Sequence, residues 1–263
     1  MQQELRSPTQ RTLVGTRELL RALVLKELKV KYKRSILGLF WSLLTPMALT
    51  GIYLFVFVHV YRIPKPDFVL LLLTGLLPWN YFNMSLLATT GAFIENGPLV
   101  RKVYFPRQLL PISIIVSNLI NFLAGLLFLV VILMFSGRAI WTQLHWVVIA
   151  LALETALLIG ISLFASIGNV YFRDIQQLIS ILILVLFFGT PIVYELADVP
   201  ATFRNFLLVN PMTSVIEIYR AALFRVEGPD MSLVLLAFGE TALMLVLGVL
   251  IFRKFAPNLA KEV

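Results

Sequence analysis

Six stretches of this chain are each long and apolar enough to cross a lipid bilayer, and nothing else in the sequence restricts the fold so strongly. A segment that crosses the hydrocarbon layer has no water to bond its backbone, so about 20 mainly apolar residues must close their hydrogen bonds within one helix. The runs lie at about 36–61, 68–94, 109–136, 144–167, 175–194 and 231–252. Composition agrees: of 263 residues, 59% are hydrophobic and 14% charged, against roughly 25% charged in soluble domains. The expected fold is all-α, a polytopic membrane protein of six transmembrane helices.

Six crossings put both termini on one side, and the bias of Lys and Arg toward the cytoplasm says which. Sixteen basic residues fall on the side of the termini: nine in residues 1–35, then Arg101, Lys102, Arg107, Arg173, Arg253, Lys254 and Lys261. The other side holds Arg62, Lys65, Arg138, Arg204, Arg220 and Arg225. Both termini are therefore expected in the cytoplasm. The net charge of +8 does not point to nucleic acid, because apolar runs separate the basic clusters and leave no continuous basic surface. With no cysteine, disulfides, thiolate nucleophiles and Cys-ligated metals are excluded. Arg6, Arg11, Arg17 and Arg21 precede the first long apolar run, which is unlike a signal peptide, and no cleavage is expected.

Three regions follow: a cytoplasmic segment 1–35, a membrane domain 36–253 and a tail 254–263. Within the first, "TRELLRALVLKELKVKYKR" puts Leu20, Leu23, Val24 and Leu28 near one face and Arg17, Arg21, Lys26, Lys29 and Lys33 around the rest. This is an amphipathic helix for the membrane surface, attracted to anionic lipid and able to touch a cytoplasmic partner. The stretch 203–230 is too polar to span, yet it carries Val215, Ile216, Tyr219, Ala222 and Leu223 at helical spacing. It reads as one or two short helices against the outer interface, with Asn210 before Pro211 marking a start.

Chemistry is sparse. No Gly-Lys dipeptide occurs, so the phosphate-cradling loop of P-loop ATPases is absent. His59 and His145 have no partner at metal-site spacing. Glu154 and Glu240 stand inside spans, where an ionisable group is costly. They read either as a proton relay or as neutral groups bonded between helices, with no Lys or Arg inside the spans to pair them. Ser113, Ser117, Asn121 and Gly125 form a stripe of small or polar residues, suited to close helix packing or to a pore lining. "LLPWNYFNMS" places Trp79, Asn80, Tyr81, Phe82 and Asn83 at mid-depth or slightly outward behind Pro78, which is expected to kink the helix. Rings mixed with amides can either pack or slide along sugar faces. In "ENGPLVRKVYFPRQLLP" (95–111), Pro98, Pro106 and Pro111 flank a short segment and should hold a brief helix at a fixed angle to the spans.

The order of motifs "LKVKYKRSILGLFWSLLTP" (28–46), "GLLPWNYFNMSL" (75–86), "NGPLVRKVYFPRQLLP" (96–111), "NVYFRDIQQL" (169–178), "PIVYEL" (191–196) and "NPMTSVIEIYR" (210–220) resembles the transmembrane subunits of ABC-2-type exporters. The nearest group exports polysaccharides and polyol phosphates: O-antigen, capsule and teichoic acid. The resemblance covers nearly the whole chain. It implies a permease in the bacterial cytoplasmic membrane, not itself an enzyme, working as a homodimer with a separate nucleotide-binding ATPase subunit. ATP and Mg would sit on that subunit, and this chain would bind no cofactor. It implies a glycan or lipid-linked glycan as cargo, with Trp79, Asn80, Tyr81, Phe82 and Asn83 as candidate path. The basic hinge becomes a coupling helix, with Val103, Tyr104 and Phe105 as its packing surface and Arg101, Lys102 and Arg107 orienting it. Arg173 and Asp174 would be a second contact or a local ion pair. Short helices near 203–225 correspond to outer gate helices. A drug or lipid exporter of the same superfamily and a proton-coupled carrier using Glu154 and Glu240 remain as alternatives.

Overall fold

The computed structural model describes residues 8–33, 40–60, 67–103, 105–135 and 137–262, and among them every regular element is a helix. Helix α1 is Pro8–Tyr32, and α2 is Trp41–Leu54, prolonged by a π-helical turn, Phe55–Val60. Then come α3 (Phe68–Glu95), the short α4 (Gly97–Lys102), α5 (Leu109–Phe135), α6 (Leu144–Tyr171) and α7 (Ile175–Phe188). The chain closes with α8 (Ala201–Leu207), α9 (Pro211–Arg220), α10 (Met231–Phe255) and α11 (Leu259–Glu262).

Four segments have spanning length and hydropathy: Phe68–Glu95, Leu109–Phe135, Ile140–Tyr171 and Met231–Asn258. They match the second, third, fourth and sixth expected spans. The first is described as α2 with its π turn, and the ends of that run, 36–39 and 61, lie outside the described residues. The fifth differs from expectation. Helix α7 has 14 residues, roughly 21 Å at 1.5 Å per residue, against a hydrocarbon layer of about 30 Å. It stops at Gly189, and residues 189–195 run without regular structure, so the apolar run 175–194 is not one helix.

Helix α3 is the axis of the bundle, with neighbours in α2, α5, α6, α7 and α9. It continues through Pro78 as a single helix. Its buried residues face a large core that takes in Phe122, Leu126 and Leu129 of α5 and Leu153, Leu157 and Leu158 of α6. A second core closes the end that carries the termini, joining Leu23 of α1, Phe93 of α3, Leu110 and Ile114 of α5, Leu163 and Ile167 of α6 and Phe252 of α10. Helix α1 thus packs by Leu23 and Val24 while Arg17, Arg21, Lys26, Lys29 and Lys33 stay exposed.

Two glycines set the α6–α10 contact. A Cβ on Gly160 would stand 2.5 Å from the carbonyl oxygen of Met244, and one on Gly248 would overlap the carbonyl of Gly160. Backbone meets backbone there, which only residues without a side chain allow.

Two short helices do occupy 203–225, but they differ from each other. Phe203 and Phe206 of α8 are exposed, whereas Met212 to Arg220 of α9 are all buried. Helix α9 is inside the bundle, packed on α3, α6 and α10, and is not a helix lying on an outer surface. Its start is as expected: the Asn210 side chain accepts the backbone N–H of Met212 at 3.1 Å, and Pro211 follows.

Candidate functional site

At the end carrying the termini, Asn96 closes α3 by donating its side-chain amide to the Ala92 carbonyl at 2.9 Å. The chain turns at once into α4, with Pro98 in its first turn. Arg101 and Lys102 are exposed, and Val103 is extended and 48% exposed. Tyr104 lies outside the described residues. Phe105 turns the other way from the expectation: it is 7% exposed and part of the second core, beside Val100, Leu109 and Leu110. Pro106 follows it, the helix has ended by Val103, and the ring falls inward. Arg107 donates to the Ala256 carbonyl, tying this segment to the end of α10.

Helices α3 and α6 are pinned together by the Thr89 hydroxyl donating to Ser162 at 2.8 Å and by the Asn169 amide donating to the Thr90 carbonyl at 3.0 Å. The latter side chain also accepts the Gln176 backbone N–H at 3.2 Å, which braces the turn 172–174. Phe172 on this turn is 71% exposed, and Arg173 and Asp174 are exposed beside it. This end therefore offers two rigidly held turns carrying exposed apolar and basic side chains.

In the interior, the candidate path residues separate into two kinds. Trp79, Tyr81 and Phe82 are buried. The Trp79 ring lies 5.6 Å from Phe82 and 5.8 Å from Phe187 of α7; Tyr81 stacks on Phe122 at 5.1 Å and shares a 3.2 Å hydrogen bond with the Thr155 hydroxyl. Asn80 and Asn83 are partly accessible. Ser113, Ser117, Asn121 and Gly125 are all buried, and Asn121 accepts the Tyr32 hydroxyl of α1.

Glu154 is fully buried, and its Oε2 accepts the Tyr219 hydroxyl at 3.0 Å. Glu240 is partly buried on α10. His59 and His145 lie beside the rings of Phe55 and Trp146, and no cluster of metal-ligating side chains forms among the described residues.

A cation does lie inside the bundle, contrary to the sequence reading, which counted Arg220 with an outer loop. Its side chain is 0% exposed. It donates to the carbonyls of Ile192 and Tyr194, both at 2.7 Å, and lies 3.5 Å from Glu217. Glu217 in turn accepts two 3.1 Å bonds from Arg225, whose Nε is 2.8 Å from Glu227. Gly75 of α3 makes room, since a Cβ there would stand 2.9 Å from the Ile192 oxygen. The network latches the irregular segment after α7 to α9. The i, i+3 pair Glu217 and Arg220 was its one local signal.

Residues 18–224 match the ABC-2 type transporter family. The chain belongs to that family. Similar proteins include the O-antigen export system permease protein RfbA of Klebsiella pneumoniae, 31% identical over 93% of this chain and 94% of the relative. RfbA of Myxococcus xanthus is 34% identical over 84% and 85%. The polysialic acid transport protein KpsM of Escherichia coli is 28% identical over 76% and 79%. Against this ABC-2 background, the exposed turns at the terminal end and the latched segment after α7 stand out among the described residues as places where the fold offers something other than packing.

Proposed function

We propose that this chain is the permease subunit of an ATP-driven exporter of a cell-surface polysaccharide carried on a lipid. It works as a homodimer with two copies of a nucleotide-binding subunit, in the bacterial cytoplasmic membrane with both termini inside. The observation that carries this reading is the similarity, over more than nine tenths of both chains, to an O-antigen export permease. ATP and Mg belong to the partner, and this chain holds no nucleotide.

The cytoplasmic contact is the face of α4 with the turn 172–174: Val103 and Phe172 supply apolar surface, and Arg101, Lys102, Arg173 and Asp174 orient it. Phe105 and Arg107 act behind that face, joining α4 to α5 and α10, so that force on α4 reaches the spans. The glycan path runs past the accessible edges of Asn80 and Asn83, with the rings of Trp79, Tyr81 and Phe82 shaping it from behind. A proton-coupled carrier has less support, because the Tyr219 hydroxyl bonds one oxygen of the buried Glu154 carboxyl as an interhelical contact, although the other oxygen has no hydrogen-bond partner among the described residues.

The test is retention of the ATPase subunit by purified variants. Burying the exposed half of Val103 contributes about 1 kcal/mol, and an Asp there would add the cost of a buried unpaired carboxylate, whereas an exposed ion pair contributes about 0–1 kcal/mol. Val103→Asp should abolish retention and export, and Lys102→Gln should only make assembly more salt-sensitive. Phe105→Ala should instead lower thermal stability, by about 3–5 kcal/mol for a buried Phe. Wild-type retention by Val103→Asp together with its loss in Lys102→Gln would make the face an electrostatic anchor. Transport by vesicles lacking ATP would overturn the exporter reading itself.

A further inference from the structure

A small cavity of about 120 Å³ lies where α1, α2, α3 and α5 meet, lined among others by Lys31, Tyr32, Trp41, Asn80, Asn118 and Asn121. Its polar groups are unevenly used. The Asn118 side-chain oxygen accepts the Lys31 ammonium at 3.1 Å, and the Asn121 oxygen accepts the Tyr32 hydroxyl. The side-chain nitrogens of Asn80 and Asn121 are buried with no hydrogen-bond partner. The amide oxygens of Asn118 and Asn121 are thus engaged, while two buried N–H donors and an ammonium with hydrogens to spare remain. A buried donor left unpaired is costly, and a cavity that concentrates several beside a cation suits a group that only accepts.

Position and shape narrow the class. Asn118 and Asn121 stand nine and twelve residues after Leu109 at the start of α5, roughly 14 and 18 Å along the axis, and Asn80 is near the middle of α3. The cavity therefore reaches from about a third of the way into the bundle, at Lys31 and Asn118, to mid-depth at Asn80 and Asn121. The rings of Tyr32 and Trp41 line the same cavity, and such amphipathic rings favour the level of lipid headgroups. The volume equals roughly four waters at about 30 Å³ each, enough for a phosphate and its first attached atoms but not for a sugar chain. Lys31 as a whole is exposed, yet partial desolvation of its ammonium beside Asn118 pulls it below its ordinary pKa, and an oxyanion beside it would reverse that loss.

We propose that this cavity binds the phosphate of a lipid headgroup, with Lys31 and the free amide hydrogens of Asn80 and Asn121 as its donors. The bound lipid holds the end of α1 against α3 and α5. Any phosphate-bearing lipid has the required chemistry, whether or not it carries the glycan whose proposed path runs past the accessible edge of Asn80.

The experiment is native mass spectrometry of the delipidated protein, in complex with its ATPase subunit where the two co-purify. It is titrated in turn with dioleoyl-phosphatidylglycerol, a polyprenyl phosphate, inorganic phosphate and dioleoylglycerol. One phosphate lipid per chain is expected, bound at least tenfold more tightly than dioleoylglycerol, and whichever phosphate lipid binds better identifies the source. Lys31→Met and Asn121→Leu should each weaken it at least fivefold. Asn80→Leu guards against simple misfolding: it removes an unpaired amide, so melting without lipid should be unchanged or higher while the lipid-induced rise in Tm is lost. Equal binding of dioleoylglycerol, inorganic phosphate competing as well as the lipid, or unaltered lipid binding in all three variants would each overturn the proposal.

Discussion

Arg220 is the residue whose replacement tests the interior of this fold most directly. Arg220→Met removes two bonds of 2.7 Å from the guanidinium to the Ile192 and Tyr194 carbonyls. At about 1.5–3 kcal/mol for each bond to a charged donor, roughly 3–6 kcal/mol is at stake. Removing the cation also removes its desolvation penalty of several kcal/mol, so the net loss should be about 1–3 kcal/mol. Glu217→Gln should be worse, toward the low end of about 3–5 kcal/mol, because Arg220 is then a buried charge that has lost its hydrogen-bonded carboxylate and keeps only the electrostatic influence of Glu195. Arg225 still has Glu227 at 2.8 Å. The double variant should lose less than the sum of the two singles, since it deletes the stranded charge. Arg220→Lys should resemble Arg220→Met, because a single ammonium cannot reproduce the planar fork that spans two carbonyls. Thermal unfolding in detergent measures the stability order. The cysteine-free chain permits a single Ile192→Cys reporter at a position 0% exposed, whose maleimide labelling should quicken severalfold when each variant is added, as the segment after α7 comes loose. Wild-type melting and labelling in Arg220→Lys, or Glu217→Gln milder than Arg220→Met, would refute the latch.

Gly248→Ala should force α6 and α10 apart, at a cost of about 1–3 kcal/mol, visible as a lower melting temperature with the secondary structure retained; Gly239→Ala on the same helix, where a Cβ meets nothing within 4 Å, should be neutral or slightly stabilising. Asp230 caps α10 by accepting the Ser232 backbone N–H at 2.9 Å, and that bond holds its carboxyl below the ordinary value. A depressed folded value means the stabilisation is complete above the unfolded carboxyl range near about 3.9 and is lost as pH falls through the folded value. Melting followed from pH 6 to strong acid should therefore show an acid-side decline that is smaller in Asp230→Asn, and equal declines would remove the cap from the account.

The long apolar runs by themselves determined α3, α5, α6 and α10, because a backbone without water has no choice but to close its bonds within a helix. The amphipathic pattern before them likewise determined α1, and the Asn210–Pro211 pair determined where α9 begins. Hydropathy reports contact with oil, and a lipid-facing residue and a protein-facing residue are both in oil. For that reason the sequence did not separate α7, cut short by the segment that Arg220 holds, from a full span, nor did it place α9 inside the bundle. The resemblance put Phe105 on the exposed packing surface, but its ring falls inward because the helix ends before it. Buried polar groups find partners far along the chain: Arg220 bonds a carbonyl 28 residues away, and Tyr219 bonds a carboxyl 65 residues away. Those pairings, and the backbone contact between Gly160 and Gly248, exist only once the helices have packed, so tertiary structure alone decided them.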